Sequence, residues 1–123
     1  MLSRIGWTRI AYGMAAIAVS CGAVGSHLLD DVLEGTAANQ WQIATRMLFW
    51  HALGLWICAS TARYRQGALM LISVLIFCGS VFSLSLGGPG WMGMVAPLGG
   101  AGMVVSWLWL AVGKAPEWPA PAR

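Results

Sequence analysis

Four windows of the chain, Trp7–Leu29, Trp41–Ala62, Gln66–Gly87 and Trp91–Gly113, are each long and apolar enough to cross a bilayer, which takes about 20 mostly apolar residues. In lipid every backbone N–H and C=O must be satisfied within the protein, which leaves helices or a closed barrel. Windows of this length suit helices, because a spanning strand needs only about 10 residues. The expectation is an all-α integral membrane protein, one domain over residues 1–113, with four transmembrane helices in a compact bundle.

The breaks between the windows are polar or turn-forming. Residues 30–40 are polar, "RYRQ" at 63–66 is basic, and "GGPG" at 87–90 reads as a tight turn. The Pro-rich "KAPEWPAPAR" at 114–123 reads as a flexible tail. The chain is 59% hydrophobic and 9% charged, against roughly 25% charge in a soluble domain. Its net charge of +3 is spread singly over the ends of apolar stretches, which argues against a nucleic-acid surface. Cys21, Cys58 and Cys78 sit inside the windows without CxxC or metal-ligand spacing, so they read as small apolar residues, and no metal site is expected.

Lysine and arginine counts orient such a chain. Arg4, Arg9, Arg63, Arg65, Lys114 and Arg123 fall on one side and Arg46 on the other. Both termini are therefore expected in the cytoplasm, with the 30–40 connection outside. Trp7, Trp41, Trp91 and Trp118, near span ends, suit the interfacial aromatic belt. "AVSC" at 18–21 weakly resembles a lipoprotein cleavage box. Ala18 stands where leucine is usual, and the apolar run continues past Cys21, so the first window reads as a retained span.

Membrane helices associate through small residues that let backbones approach. The first window carries two such stripes, Ala18–Gly22–Ser26 and Ala16–Ser20–Ala23–His27, and on that ground its helix is expected at the centre. The second is sided, with Ala44, Met47, His51, Gly54 and Cys58 on one face. Pro97 should kink the fourth span, since proline removes one intrahelical hydrogen bond.

No GxSxG, HExxH or phosphate-cradling glycine loop is present, and no carboxylate lies inside a window. What remains is a polar set in the outer half: His27, His51, Arg46, Ser26, Ser80 and Pro97. His27 and His51 are the candidate cofactor-binding residues, because intramembrane ionisable groups are functional by default. Arg46 is expected to pair with Asp30, Asp31 or Glu34, for no more than about 1 kcal/mol near water. Three readings of the histidines stay open: neutral helix-bridging rings, ligands of haem or a metal, or proton relays beside a quinone or lipid headgroup.

"GAVGSH" at 22–27, "WQIATRMLFWHALGL" at 41–55, "FCGSVF" at 77–82 and "APLGGAG" at 96–102 follow one another in the order of a known family. From about residue 11 to 113 the chain resembles the YgdD-like inner-membrane proteins, domain of unknown function 423. The resemblance implies four inner-membrane helices with both termini inside. On its pattern His27 and His51 match the histidines of the first two motifs, and Gly79, Ser80, Pro97, Gly99 and Gly100 match the third and fourth. Met47 and Phe82 stand where the family usually has tyrosine, and Cys78 where it commonly has serine. The resemblance implies an architecture and no activity.

Two classes of function follow. The expected one is a non-catalytic accessory or assembly subunit of a larger membrane complex, with the lipid bilayer and other membrane subunits as partners and no cofactor. The alternative is a small redox or ligand-binding protein holding haem, quinone or lipid in the outer half of the bundle.

Overall fold

Ser3 starts the first helix, its Oγ accepting the backbone N–H of Gly6 at 3.2 Å, which satisfies one of the open donors of a first turn. In the computed structural model, which describes residues 2–115, this helix, α1, spans Arg4–His27. It is followed by α2 (Gly35–Ser60), α3 (Tyr64–Ser85) and α4 (Met92–Val112). All four are long and apolar enough to cross a membrane, and the described residues form no strand.

The helix ends follow from local chemistry. Gly87 takes φ +83° beyond α3, and the N–H of Gly88 returns to the Ser83 carbonyl at 2.7 Å, the closure a left-handed residue makes at a helix C-terminus. Pro89 then prevents continuation. Ala62 plays the same part after α2 at φ +55°, with the Arg63 N–H on the Cys58 carbonyl at 2.8 Å. The 30–40 stretch is not the polar loop its composition suggests, because α2 begins at Gly35, itself at φ +53°. A polar first turn and a half is compatible with a helix that projects beyond the hydrocarbon; a window test for lipid solubility cannot register it.

The start of α1, the end of α4 and the α2–α3 turn lie at one end of the bundle, here the near end; the α1–α2 and α3–α4 connections lie at the far end. Helices pack in chain order, α1 on α2, α2 on α3 and α3 on α4, with no other pair packing comparably. The core lies between α2 and α3, where Leu55, Cys58, Met70 and Val74 are fully buried. Half of α2's apolar window is buried against 17% of α1's. The expectation that α1 is central is therefore overturned. Trp7, Ala11, Met14 and Ala18 are buried, whereas Gly13, Ala16, Ser20 and Ala23 are exposed. Small residues permit close packing on every side without requiring it.

The α3–α4 seam is the tightest. A Cβ at Gly99 would lie 2.5 Å from the Phe77 backbone nitrogen and 2.8 Å from the Ser73 carbonyl oxygen. Gly102 is closed in the same way by the Ser73 hydroxyl. The glycines of "APLGGAG" therefore bring two backbones together, while Pro97 within α4 is exposed. At the near end the Arg63 guanidinium donates to the Lys114 carbonyl, tying the end of α4 to the α2–α3 turn. There too Trp7 is buried and stacked on Tyr64, 6.4 Å between centroids, instead of sitting in an interfacial belt. Its indole N–H has no partner among the described residues. Trp91 is exposed at the far end as a belt residue would be; Trp118 and most of the expected tail lie outside the described residues.

Candidate functional site

His51 sits on the inward face of α2, 5% exposed. Its Nε2 lies 3.1 Å from the Trp107 indole nitrogen of α4, and its Nδ1 lies 2.7 Å from the Met47 carbonyl oxygen. An indole N–H is only a donor and a carbonyl only an acceptor. Nε2 must therefore carry the lone pair and Nδ1 the proton. The ring is the neutral Nδ1–H tautomer, oriented from both sides, with the Trp107 ring at 61° to it. A ligand to either nitrogen would have to displace one of these bonds.

His27 closes α1 at the far end, is exposed, and its ring has no hydrogen bond among the described residues. In the α1–α2 register Gly22 faces Thr45 and Gly25 faces Trp41. That sets His27 level with about residue 40, so the two histidines stand roughly 17 Å apart along the axis at 1.5 Å per residue. They do not share a cluster. Counting depth from the ends of apolar windows placed them together; the extra turns of α2 separate them.

The other expected members of that cluster also part company. The Ser80 hydroxyl donates to the Ile76 carbonyl at 2.6 Å and the Ser26 hydroxyl to the Gly22 carbonyl at 3.0 Å. Thr8, Ser20, Thr45, Thr61 and Ser106 bond back in the same way, to the carbonyl four residues earlier. Such bonds satisfy a hydroxyl inside its own helix and leave it no proton for a neighbour. Among the bonds that do cross between helices are those from Trp41 of α2 to the Cys21 carbonyl at 2.8 Å, from Trp107 to His51, and from Cys78 of α3 to the Ala44 carbonyl at 3.3 Å. Cys78 thus works as a weak donor where the resemblance puts serine. Phe82 meets the Trp41 ring edge-on at 4.7 Å, a contact needing no phenol hydroxyl.

Ser26 and Arg46 do meet, across a cavity of about 320 Å³ between α1 and α2 at the far end. Gly22 and Gly25 form its α1 wall, and Trp41, Gln42, Thr45 and Arg46 its α2 wall; Asp30 stands on the connection above. Gly25 gives the Trp41 ring its room, since a Cβ would lie 2.5 Å from the indole nitrogen. Arg46 bonds Gln42 Oε1 at 3.3 Å, a contact within one helix. The expected ion pair to Asp30, Asp31 or Glu34 is not formed. Guanidinium and carboxylate line one cavity more than 4.0 Å apart. Trp41, Gln42, Thr45 and Trp107 are the residues that sequence reasoning missed as site members. The signal for the first three was their spacing, which puts 38, 41, 42, 45 and 46 on one helical face with Arg46. Among the described residues no group of three or more His, Cys, Asp or Glu is placed to hold a metal ion.

The family model described as "Protein of unknown function (DUF423)" matches residues 21–100. The chain is similar to the UPF0382 membrane protein YwdK of Bacillus subtilis (strain 168), 30% identical over 106 residues, covering 80% of this chain and 86% of the relative. It is similar to the UPF0382 membrane protein SSP2132 of Staphylococcus saprophyticus, 32% identical over 105 residues, covering 80% and 88%. No solved structure matches it. With a family model covering the α1–α2 cavity and the whole of α2 and α3, and with relatives aligned over most of their length, the chain belongs to the DUF423 family of membrane proteins.

Proposed function

We propose that this protein is an accessory or assembly subunit of a larger complex, seated in the inner (plasma) membrane with both termini in the cytoplasm. The observation that carries the reading is the uncovered side of α1. Gly13, Ala16, Ser20, Ala23 and His27 recur at three- and four-residue steps along one exposed stripe. At Gly13 a Cβ would meet nothing within 4 Å. Such a stripe offers lipid little side-chain surface, but it admits a second helix backbone at close range. The occupant is a transmembrane helix of another subunit. The orientation is supported by the bases, six of seven falling with the near end in sequence.

The redox alternative draws on His27 and His51 as paired ligands. Their separation along the axis and the two bonds of the His51 ring do not favour it. A visible spectrum of the purified protein tests it directly, since bound haem gives a Soret band. For the accessory role, a photo-reactive side chain placed at Ala16, Ser20 or Ala23 should crosslink in cells to one discrete membrane protein. The same group at Leu75 or Leu98, also exposed, should not. Crosslinks to lipid alone, or equal crosslinking at all five positions, would remove the accessory reading. A reporter fused within residues 32–40 should read the outer side, and a cytoplasmic signal there would reverse the orientation.

A further inference from the structure

The α1–α2 cavity has a polarity that docking along α1 does not explain. Its donors lie on α2: the Arg46 guanidinium has capacity beyond its bond to Gln42 Oε1, and the Gln42 amide keeps both N–H groups. Its acceptors lie on the α1 side: the Asp30 carboxylate, and the Ser26 oxygen, whose proton is committed to Gly22 but whose lone pairs are open. Asp30 has no hydrogen bond or ion pair among the described residues. The two opposite charges do not neutralise each other, so each is available to a charge brought in from outside. The rest of the lining is mostly apolar or small, with Gly22, Leu29 and Trp41 among it, and both walls are helices long enough to span a membrane.

The geometry points to a zwitterionic phospholipid headgroup as the occupant, a phosphodiester held by Arg46 and Gln42 with a primary ammonium on Asp30 and Ser26. An arginine fork suits phosphate oxygens, and a primary ammonium brings three N–H donors to the acceptor side. A quaternary ammonium brings none and is recognised by aromatic cages, whereas Trp41 is the one aromatic residue lining this cavity. A purely anionic headgroup would satisfy Arg46 but confront the Asp30 carboxylate. The chemistry therefore selects phosphatidylethanolamine over phosphatidylcholine and phosphatidylglycerol. The position of the cavity, between spanning helices and at their far end, assigns the group to a lipid of the bilayer and not to a solute.

The test is lipid titration of the purified full chain in detergent, with one-to-one adducts counted by native mass spectrometry. Phosphatidylethanolamine should bind at the lowest concentration and phosphatidylglycerol at the highest. Loss of a charge-assisted bond should weaken binding about tenfold. Arg46→Gln should thus weaken the ethanolamine and choline lipids alike, and Arg46→Lys should restore part of the loss. Asp30→Asn should remove the advantage of ethanolamine over choline and leave the choline lipid unchanged. Both residues are exposed, so neither change opens the core, and the lipid ranking on the unmodified protein tests the assignment without any substitution. Phosphatidylglycerol binding as well as phosphatidylethanolamine, or variants with an unaltered ranking, would overturn the site. Displacement of the lipid by water-soluble glycerophosphoethanolamine would overturn the assignment to a lipid.

Discussion

The α3–α4 seam and the α1–α2 seam are both built on glycine, and they come out opposite. At Gly99 the missing side chain is replaced by the backbone of the neighbouring helix, 2.5 Å from where a Cβ would be. At Gly22 the nearest atom to such a Cβ is a Thr45 methyl at 3.7 Å, and beside it lies the cavity. The difference comes from what stands opposite. Small or flat groups on α3, Ser73 and the Phe77 main chain, let α4 settle inward. The Trp41 ring on α2, anchored to the Cys21 carbonyl, props α1 away above Gly25. Glycine in a membrane helix therefore sets a lower limit on the distance between two helices, and the facing residue decides whether it is reached.

Filling the closed seam should have the largest effect. Gly99→Leu places atoms inside the Phe77 and Ser73 backbone, which has no rotamer to yield, so destabilisation at the upper end of about 1–3 kcal/mol for overpacking, or failure to fold, is expected. Unfolding of the purified protein in mixed micelles measures it, and a wild-type midpoint would disprove the close approach. Next comes the bond that ties α4 to α2. His51→Ala leaves the Trp107 N–H unpaired, and Trp107→Phe leaves the His51 Nε2 unpaired. Each should cost about 1–2 kcal/mol. A double-mutant cycle should show that the two losses do not add, whereas full additivity would mean that the bond contributes nothing.

On the open seam the effects shrink. In Gly25→Ala the ring edge of Trp41 must shift, at about 1 kcal/mol for its hydrogen bond to Cys21. Tryptophan fluorescence should move with it, and an unshifted spectrum would place the ring elsewhere. Gly22→Ala meets only ordinary van der Waals contact. It should be neutral or stabilising by no more than about 1 kcal/mol, through lower helix cost. Equal losses at Gly22 and Gly99 would erase the contrast between the seams.

The spans were legible because hydropathy and length act within each helix. The far-end turn at "GGPG" was legible because Gly87 meets a local need for positive φ. The arrangement of helices was not. The stripes Ala18–Gly22–Ser26 and Ala16–Ser20–Ala23 look equivalent in sequence, yet in the structure Ala18 is buried against α2 and Ala16 is exposed. Nothing local to α1 makes that choice; it depends on where Trp7 and Met14 find partners. The candidate site was legible in halves. The spacing of α2 turns His51 inward, but its partner Trp107 lies 56 positions away on α4, and no periodicity links the two. Arg46 and Ser26 were both singled out, and what joins them is a cavity that exists only once the Trp41 ring has been placed.

The hydroxyls that bond back along their own helices bear on how the chain is made. A span leaving the translocon enters lipid before its neighbours exist, and an open hydroxyl there has nothing to bond. Thr8, Ser20, Thr45 and Ser80 arrive already satisfied by the turn beneath them, so their spans are acceptable to the bilayer one at a time. His51 differs. Its Nδ1 is bonded within α2, but Nε2 accepts from a residue on the last span to be synthesised. Until α4 enters, that acceptor stays open, and Trp107 closes it from the last helix of the bundle.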